Sequence, residues 1–299
     1  MTETRILNPN DYRKECENYL SRTLHIPVRL IHAEPLAKST REAPWRLDVD
    51  AGGEMQKFVL RLDSRGAEHE HAVLRAMEGV PIPTPRAYGW DPHGEAFGVP
   101  CFFCDFIEGE SLLAPMLAGE QWAEELYIDT VCALQNVVRA QLSSIEDRLL
   151  DEETAEGFLE GAYEYFKTDS HPLADAVYSK LRRTMPALTA TRFSNGDLWL
   201  DNMITRDRQL AGVIDFENAG FSDPLYEFLL SFFVSPDLRG RGIEERYCKR
   251  MGFDVDQLGW YQGLEYFDTW RWVKATGKPF VQYTSENLQT ALEQWLAES

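Results

Sequence analysis

Ser194-Asn195-Gly196-Asp197-Leu198-Trp199-Leu200-Asp201-Asn202, followed by Gly212-Val213-Ile214-Asp215-Phe216-Glu217, is the stretch that decides how this chain is read. Asp197 and Asn202 have four residues between them, so one loop can aim a carboxylate at an attacking hydroxyl and an amide oxygen at a metal ion. Asp215, thirteen residues after Asn202 and at the end of a short apolar run, completes a set of hard oxygen ligands of the kind magnesium takes. Phosphoryl transfer asks for that combination, because its catalysis is mostly positioning of the nucleophile and neutralisation of phosphate charge. Single Asp and Asn residues often serve turns. An acid, an amide and an acid at these intervals, each with apolar flanks, carry more information than isolated turn formers.

On the C-terminal side of this stretch, Asp223 before Pro224-Leu225 predicts a helix cap, since its carboxylate can take the free N–H groups of the first turn. From Leu225 onward the pattern is helical. Trp260, Tyr261, Tyr266, Phe267, Trp270 and Trp272 read as a core face in preference to a cation-binding box. Residues 193–216 hold very short strands separated by polar loops. No internal repeat or low-complexity tract appears.

On the N-terminal side, Trp45–Val49 and Phe58–Leu62 alternate apolar and polar residues around the turn residues Ala51-Gly52-Gly53-Glu54, which predicts a hairpin. Ala67–Met77 predicts a short helix that ends at Gly79, before Pro81, Pro83 and Pro85. Gly98–Ile107 reads as a strand leading into an exposed connection. The fold class is therefore α+β: a small β-rich lobe over residues 1–104, a connection at 105–109, and a larger helical lobe over 110–299.

Charge sorts the function classes. The chain has 299 residues with 30 Lys+Arg against 49 Asp+Glu, a formal net charge of −19. A broad footprint for nucleic-acid phosphates or anionic lipid is excluded by that balance. The N-terminus has no apolar signal region, and the longest apolar run, Phe228–Val234, is far too short to span a bilayer, so a soluble cytoplasmic protein is expected. Cys16, Cys101, Cys104, Cys132 and Cys248 are odd in number and scattered, which fits reduced thiols. Cys101 and Cys104 have metal-like spacing but no second pair, and lie in an apolar run that reads as buried strand. His69 and His71 stand two apart on a helix, where side chains diverge. Residues 105–175 hold 17 acids and 3 bases, so −14 of the −19 lies in one helical segment. A solvated acidic face and a cleft that gathers a cationic small molecule are both open readings of it.

The motifs resemble those of the aminoglycoside phosphotransferase and choline kinase-like enzymes, small-molecule kinases with the bilobal protein-kinase-like fold. Gly196-Asp197-Leu198-Trp199 with Asn202 is similar to that family's catalytic loop, Ile214-Asp215-Phe216-Glu217 to its metal-binding motif, and Asp223-Pro224-Leu225-Tyr226-Glu227 to its next helix start. The resemblance covers about Ile31 to Phe280. It implies Asp197 as catalytic base, Asn202 and Asp215 as magnesium ligands, and ATP, with GTP as an alternative, as phosphate donor. It further implies Arg61, on the strand Val59-Leu60-Arg61, at the nucleotide phosphates, paired with Glu70. The backbone of Asp105 and Ile107 would meet the adenine. The acceptor would be a hydroxyl of a small molecule such as an aminoglycoside, amino alcohol or sugar. Oligomeric state is not legible.

Three departures stand out. Asn195 replaces the family's His, the phosphate-covering loop Lys38–Glu42 has no glycine, and Arg61 stands for Lys. The first two prompt an alternative: a catalytically inactive nucleotide-binding or interaction protein on the same fold. A protein kinase fits less well, because its glycine-rich loop and its H-R-D and A-P-E signatures are missing.

Overall fold

The computed structural model describes residues 8–36, 44–62, 66–145, 152–168, 171–187 and 190–298. The chain packs as two units. The first comprises residues 1–111, 139–146 and 202–219, and the second 112–138, 147–201 and 220–299.

The first unit is built on a five-stranded antiparallel sheet in the order β1-β2-β3-β5-β4. Its strands are β1 (Val28–Pro35), β2 (Trp45–Ala51), β3 (Glu54–Leu62), β4 (Ala87–Asp91) and β5 (Cys101–Asp105). The expected hairpin is β2–β3, in register from Trp45 opposite Leu60 to Ala51 opposite Glu54. Alternation sorts the faces: Phe58, Leu60 and Leu62 of β3 are buried, while Val59 and Arg61 point the other way. One face is covered by helix α1 (Arg13–Leu24), whose Tyr19 meets Phe103 edge-on at 5.6 Å. The other receives helix α2 (Ala67–Met77), whose His71 packs on Phe102 at 5.4 Å and on Trp90 at 5.7 Å. Cys101 and Cys104 are free, buried thiols of β5.

A smaller antiparallel sheet in this unit joins β6 (Glu110–Ser111), β9 (Met203–Arg206) and β10 (Gln209–Val213). The β9–β10 turn places Asp207 and Arg208 at φ 54° and 61°, the left-handed pair that a two-residue hairpin loop requires. This hairpin carries the chain from Asn202 to Asp215.

The second unit is mainly helical: α3 (Leu113–Leu117), α4 (Gln121–Gln135), α5 (Ala155–Lys167), α6 (Pro172–Arg183), α7 (Pro224–Val234), α8 (Ile243–Met251), α9 (Leu258–Thr276) and α10 (Ser285–Ala297). A three-stranded sheet, β7 (Glu152–Glu153), β11 (Gly220–Ser222) and β8 (Arg192–Ser194), supports the loop that follows β8. Helix α9 is the centre of the packing. Its Trp260, Tyr261, Phe267 and Trp270 are buried, as a core face requires, whereas Trp272 remains 36% exposed. Gly263 lets α10 approach: a Cβ there would lie 2.3 Å from the Trp295 ring.

Six acids of the acidic segment form ion pairs inside this unit. Glu124 of α4 takes Arg241 at 2.6 Å and also Arg246, Glu125 takes Arg246 at 2.5 Å and Arg250 at 3.3 Å, and Asp129 takes Arg250. On α5, Glu156 and Glu160 face Arg182, and Glu164 pairs with Lys167 at 2.8 Å. Among the described residues, no helix is long and apolar enough to cross a membrane.

Candidate active site

In the first unit, strand alternation delivers Arg61 to the face that α2 covers, and the first turns of α2 present Glu70 to it. Arg61 Nε lies 2.7 Å from Glu70 Oε2, with the two side chains 11% and 6% exposed. The same guanidinium meets Glu217 Oε2 at 3.0 Å and Asp215 Oδ1 at 3.6 Å. The remaining Glu70 oxygen accepts from the Phe216 N–H at 3.4 Å, so one carboxyl ties the cation to the backbone of the 214–217 stretch. Burial pushes the Glu70 carboxyl up to about 7, against the pull of Arg61. Burial would lower Arg61, but Glu70, Asp215 and Glu217 together hold it above its ordinary value. It is a fixed cation.

Asp215 has φ 62°, a left-handed conformation rare for a residue with a side chain and costing on the order of 1 kcal/mol. Next to it, the Ile214 N–H donates to the Asn202 carbonyl at 2.9 Å, which brings the Asn202 and Asp215 backbones side by side. The donor chemistry fits magnesium: one carboxylate and one amide are hard oxygen ligands, and this ion ordinarily takes one or two from the protein and the rest from phosphates and water. No cluster of three or more His, Cys, Asp or Glu side chains suited to a metal occurs among the described residues, His69 and His71 included. His69 instead contacts the Ala219 carbonyl at 2.5 Å.

Asp105 ends β5 with its N–H donating to the Arg86 carbonyl at 3.1 Å and its carboxylate accepting from the Tyr88 hydroxyl at 3.0 Å. Ile107 packs on Gly212, where a Cβ would come within 3.2 Å of it. The structure thus brings Arg61, Glu70 and Asp215 together, sets Asn202 beside Asp215, and adds Glu217. Sequence reasoning quoted Glu217 within a motif but gave it no role. The phosphate-covering loop Lys38–Glu42 falls outside the described residues.

In the second unit, Asp197 lies half-buried on the loop after β8. Ser194 is the brace of that loop: its hydroxyl donates to Glu227 Oε2 at 2.8 Å and accepts from the Gly196 N–H at 2.9 Å. Asn195, fully buried, donates through Nδ2 to the Asp197 carbonyl at 3.0 Å. The amide that replaces His therefore does bind the loop to itself. One turn along α7 from Glu227, the Ser231 hydroxyl donates to the Leu198 carbonyl at 2.7 Å. Two residues of one helix face hold both flanks of Asp197. Asp223 caps α7 as its sequence predicts, accepting from Leu225 and Tyr226 at 3.0 and 3.1 Å, and it also accepts from the Tyr261 hydroxyl at 2.9 Å.

Beside that loop lies a cavity of about 250 Å³ with Gly196, the neighbour of Asp197, in its wall. Four carboxyl residues line it, Glu153, Glu227, Glu265 and Asp268, among aromatic rings that include Phe233, Trp272 and Phe280. Burial pushes Glu227 up to about 7 and Glu265 up to about 8. A second cavity of about 440 Å³ shares Glu153, Phe158 and Asp268 with the first and includes Arg271. Only Glu153 of the four comes from the acidic segment; Glu227 lies on α7, where the sequence quoted it in a helix-start motif without a role of its own, and Glu265 and Asp268 lie on α9 and carried no signal in the sequence beyond a period of 3.6.

Residues 33–263 match the family model described as the phosphotransferase enzyme family. The chain is similar over 94% of its length to an aminoglycoside phosphotransferase solved as a ternary complex with ADP and hygromycin B (97% of that chain covered, 13% identity, TM-score 0.67). It also resembles a protein of Ralstonia eutropha JMP134 described as a candidate aminoglycoside phosphotransferase (95% of each chain, 16% identity, TM-score 0.67). A further likeness is to another aminoglycoside phosphotransferase solved with GDP and kanamycin (90% of this chain, 93% of that one, 16% identity, TM-score 0.60). At such identities the likeness establishes the bilobal kinase-like fold. No curated protein sequence matches the chain.

Proposed function

The chain belongs to the phosphotransferase enzyme family, and on that footing we propose that it is a small-molecule kinase of the cytoplasm, transferring the γ-phosphate of ATP to a hydroxyl of a cationic acceptor. The observation that carries this reading is the buried Arg61 guanidinium, 3.6 Å from the strained Asp215 and held by Glu70 at 2.7 Å. A cation fixed beside a metal-type carboxylate suits a polyphosphate and little else. We assign residues 1–104 to the nucleotide lobe, 105–109 to the hinge and 110–299 to the acceptor lobe.

Arg61 would pair with the donor's phosphate oxygens, its orientation set by Glu70 and Glu217. Asn202 and Asp215 would hold magnesium, which supplies charge neutralisation at the phosphates when bound. The backbone of Asp105 and Ile107 would receive the adenine. Asp197 takes the proton of the acceptor hydroxyl as that oxygen attacks. Ser194, Asn195 and Ser231 keep its loop from drifting, and the adjacent cavity aligns the acceptor.

The test is ADP release from purified protein across a panel of hydroxylated amines, sugars and aminoglycosides. Asp197→Ala should lose about 10²–10⁴ in turnover while nucleotide binding stays intact. Unchanged turnover would remove Asp197 from the chemistry. ATP binding with no acceptor turned over would favour the inactive protein that Asn195 and the glycine-free loop suggest.

A further inference from the structure

Strand β1 ends the five-stranded sheet, with β2 on one side and, among the described residues, no strand on the other. An edge of this kind presents a row of backbone N–H and C=O groups with which another strand can pair. Here side chains answer the row. Ser21 Oγ accepts from the Val28 N–H at 2.8 Å, Glu17 Oε1 from the Leu30 N–H at 2.9 Å, and Asn10 Oδ1 from the Ala33 N–H at 3.2 Å. Asn10 Nδ2 also donates to the Ala33 carbonyl at 2.8 Å, and Arg13 Nη1 donates to the Leu30 carbonyl.

Helix and strand spacings make this match. Arg13, Glu17 and Ser21 stand four apart on α1 and share one of its faces, while Cys16, Tyr19 and Leu20 turn into the core of the sheet. Four helical residues rise about 6 Å and two strand residues about 6.8 Å. Successive side chains of that face therefore meet alternate backbone positions of β1. The register shift between Leu30 and His32 carries the next outward group to Ala33, which Asn10 reaches from just before the helix.

The residues of β1 say what the edge would otherwise take. A twofold axis between Ile31 and His32 sets Leu30 against Ala33 of a second copy, so that outward groups meet outward groups in antiparallel pairing. The same register sets the exposed Arg29 against the exposed Glu34 of that copy, and Ile31, 39% exposed, adds an apolar contact. We propose that α1, together with Asn10, is a guard over a self-complementary edge. It keeps β1 from pairing with β1 of a second copy, and lifting it turns the edge into a dimer surface.

Amide hydrogen exchange on the full wild-type chain tests the guard directly. Val28, Leu30 and Ala33 should be protected although β1 is the outermost strand, and Ser21→Ala should speed exchange at Val28 by about 10-fold while sparing Ala33. Sedimentation then tests the partner. The triple variant Asn10→Ala, Glu17→Ala, Ser21→Ala should raise the self-association constant about 10- to 100-fold over the wild type. Arg29→Glu added to it should remove most of that gain, because like charges then face each other across the twofold axis. A triple variant that keeps its far-UV spectrum and associates no more than the wild type would overturn the proposal. So would association that Arg29→Glu leaves untouched, since that marks contact elsewhere. If the triple variant unfolds, the wild-type exchange decides: fast exchange at all three amides would show that α1 guards nothing.

Discussion

Two groups of acids in the helical unit differ in what they can do, although both add to the same net charge of −19. The acids of α4 and α5 are numerous and, the buried Glu124 apart, exposed or half-exposed, and they are answered by Arg241, Arg246, Arg250 and Arg182. The cavity acids Glu227, Glu265 and Asp268 are few, lie on α7 and α9, and in Glu265 keep a buried oxygen without a donor among the described residues. A count of charge along the chain finds the first group and overlooks the second.

Glu227 sharpens this contrast most. Its folded value near 7 lies above the ordinary 4.5 because of burial, so the folded state binds more protons than the unfolded one between those values. Its contribution to stability is present below pH 4.5 and is lost as pH rises through 7. Glu227→Gln, which keeps an acceptor for Ser194, should therefore gain on the wild type between pH 5 and pH 8 by on the order of 3 kcal/mol, read from urea melts at the two values. A pH-independent difference would break the assignment. Replacing Glu124 by Ala removes the carboxylate partner of the partly buried Arg241 and one of the two of Arg246, and should cost about 2 kcal/mol in melting while leaving acceptor kcat/KM unchanged. A large fall in kcat/KM there would show that the surface acids recruit substrate after all. At the small end, Asp129→Asn removes one exposed partner of Arg250, and its effect on stability should stay within about 0.5 kcal/mol. Salt titration of kcat/KM would detect any long-range share of these acids.

Several elements were legible in the residues alone. The helix Ala67–Met77, the β2–β3 hairpin, the Asp223 cap and the buried Cys101 and Cys104 follow from short-range patterns, and the structure holds each of them. The resemblance also pointed to the Arg61–Glu70 pair that the structure brings to 2.7 Å. The acidic segment left two readings open, a solvated face and a cleft for a cation. The arginines that answer α4 sit some 120 residues further along, as in Arg246 with Glu125, where no local pattern could announce them. Likewise Trp272 looked like one more core aromatic of α9, since a period of 3.6 says which face is apolar but not where that face runs past the end of the packing.

The sequence by itself determined the candidate chemistry: an Asp, an Asn and an Asp at spacings that loops can use, with glycines and caps beside them to set the local backbone. Only the tertiary structure decided which charges remain available. Whether a carboxylate is a surface solute, a brace for the Asp197 loop or a buried group with one oxygen unanswered depends on donors brought in from distant segments, and burial then sets the cost of leaving that oxygen so.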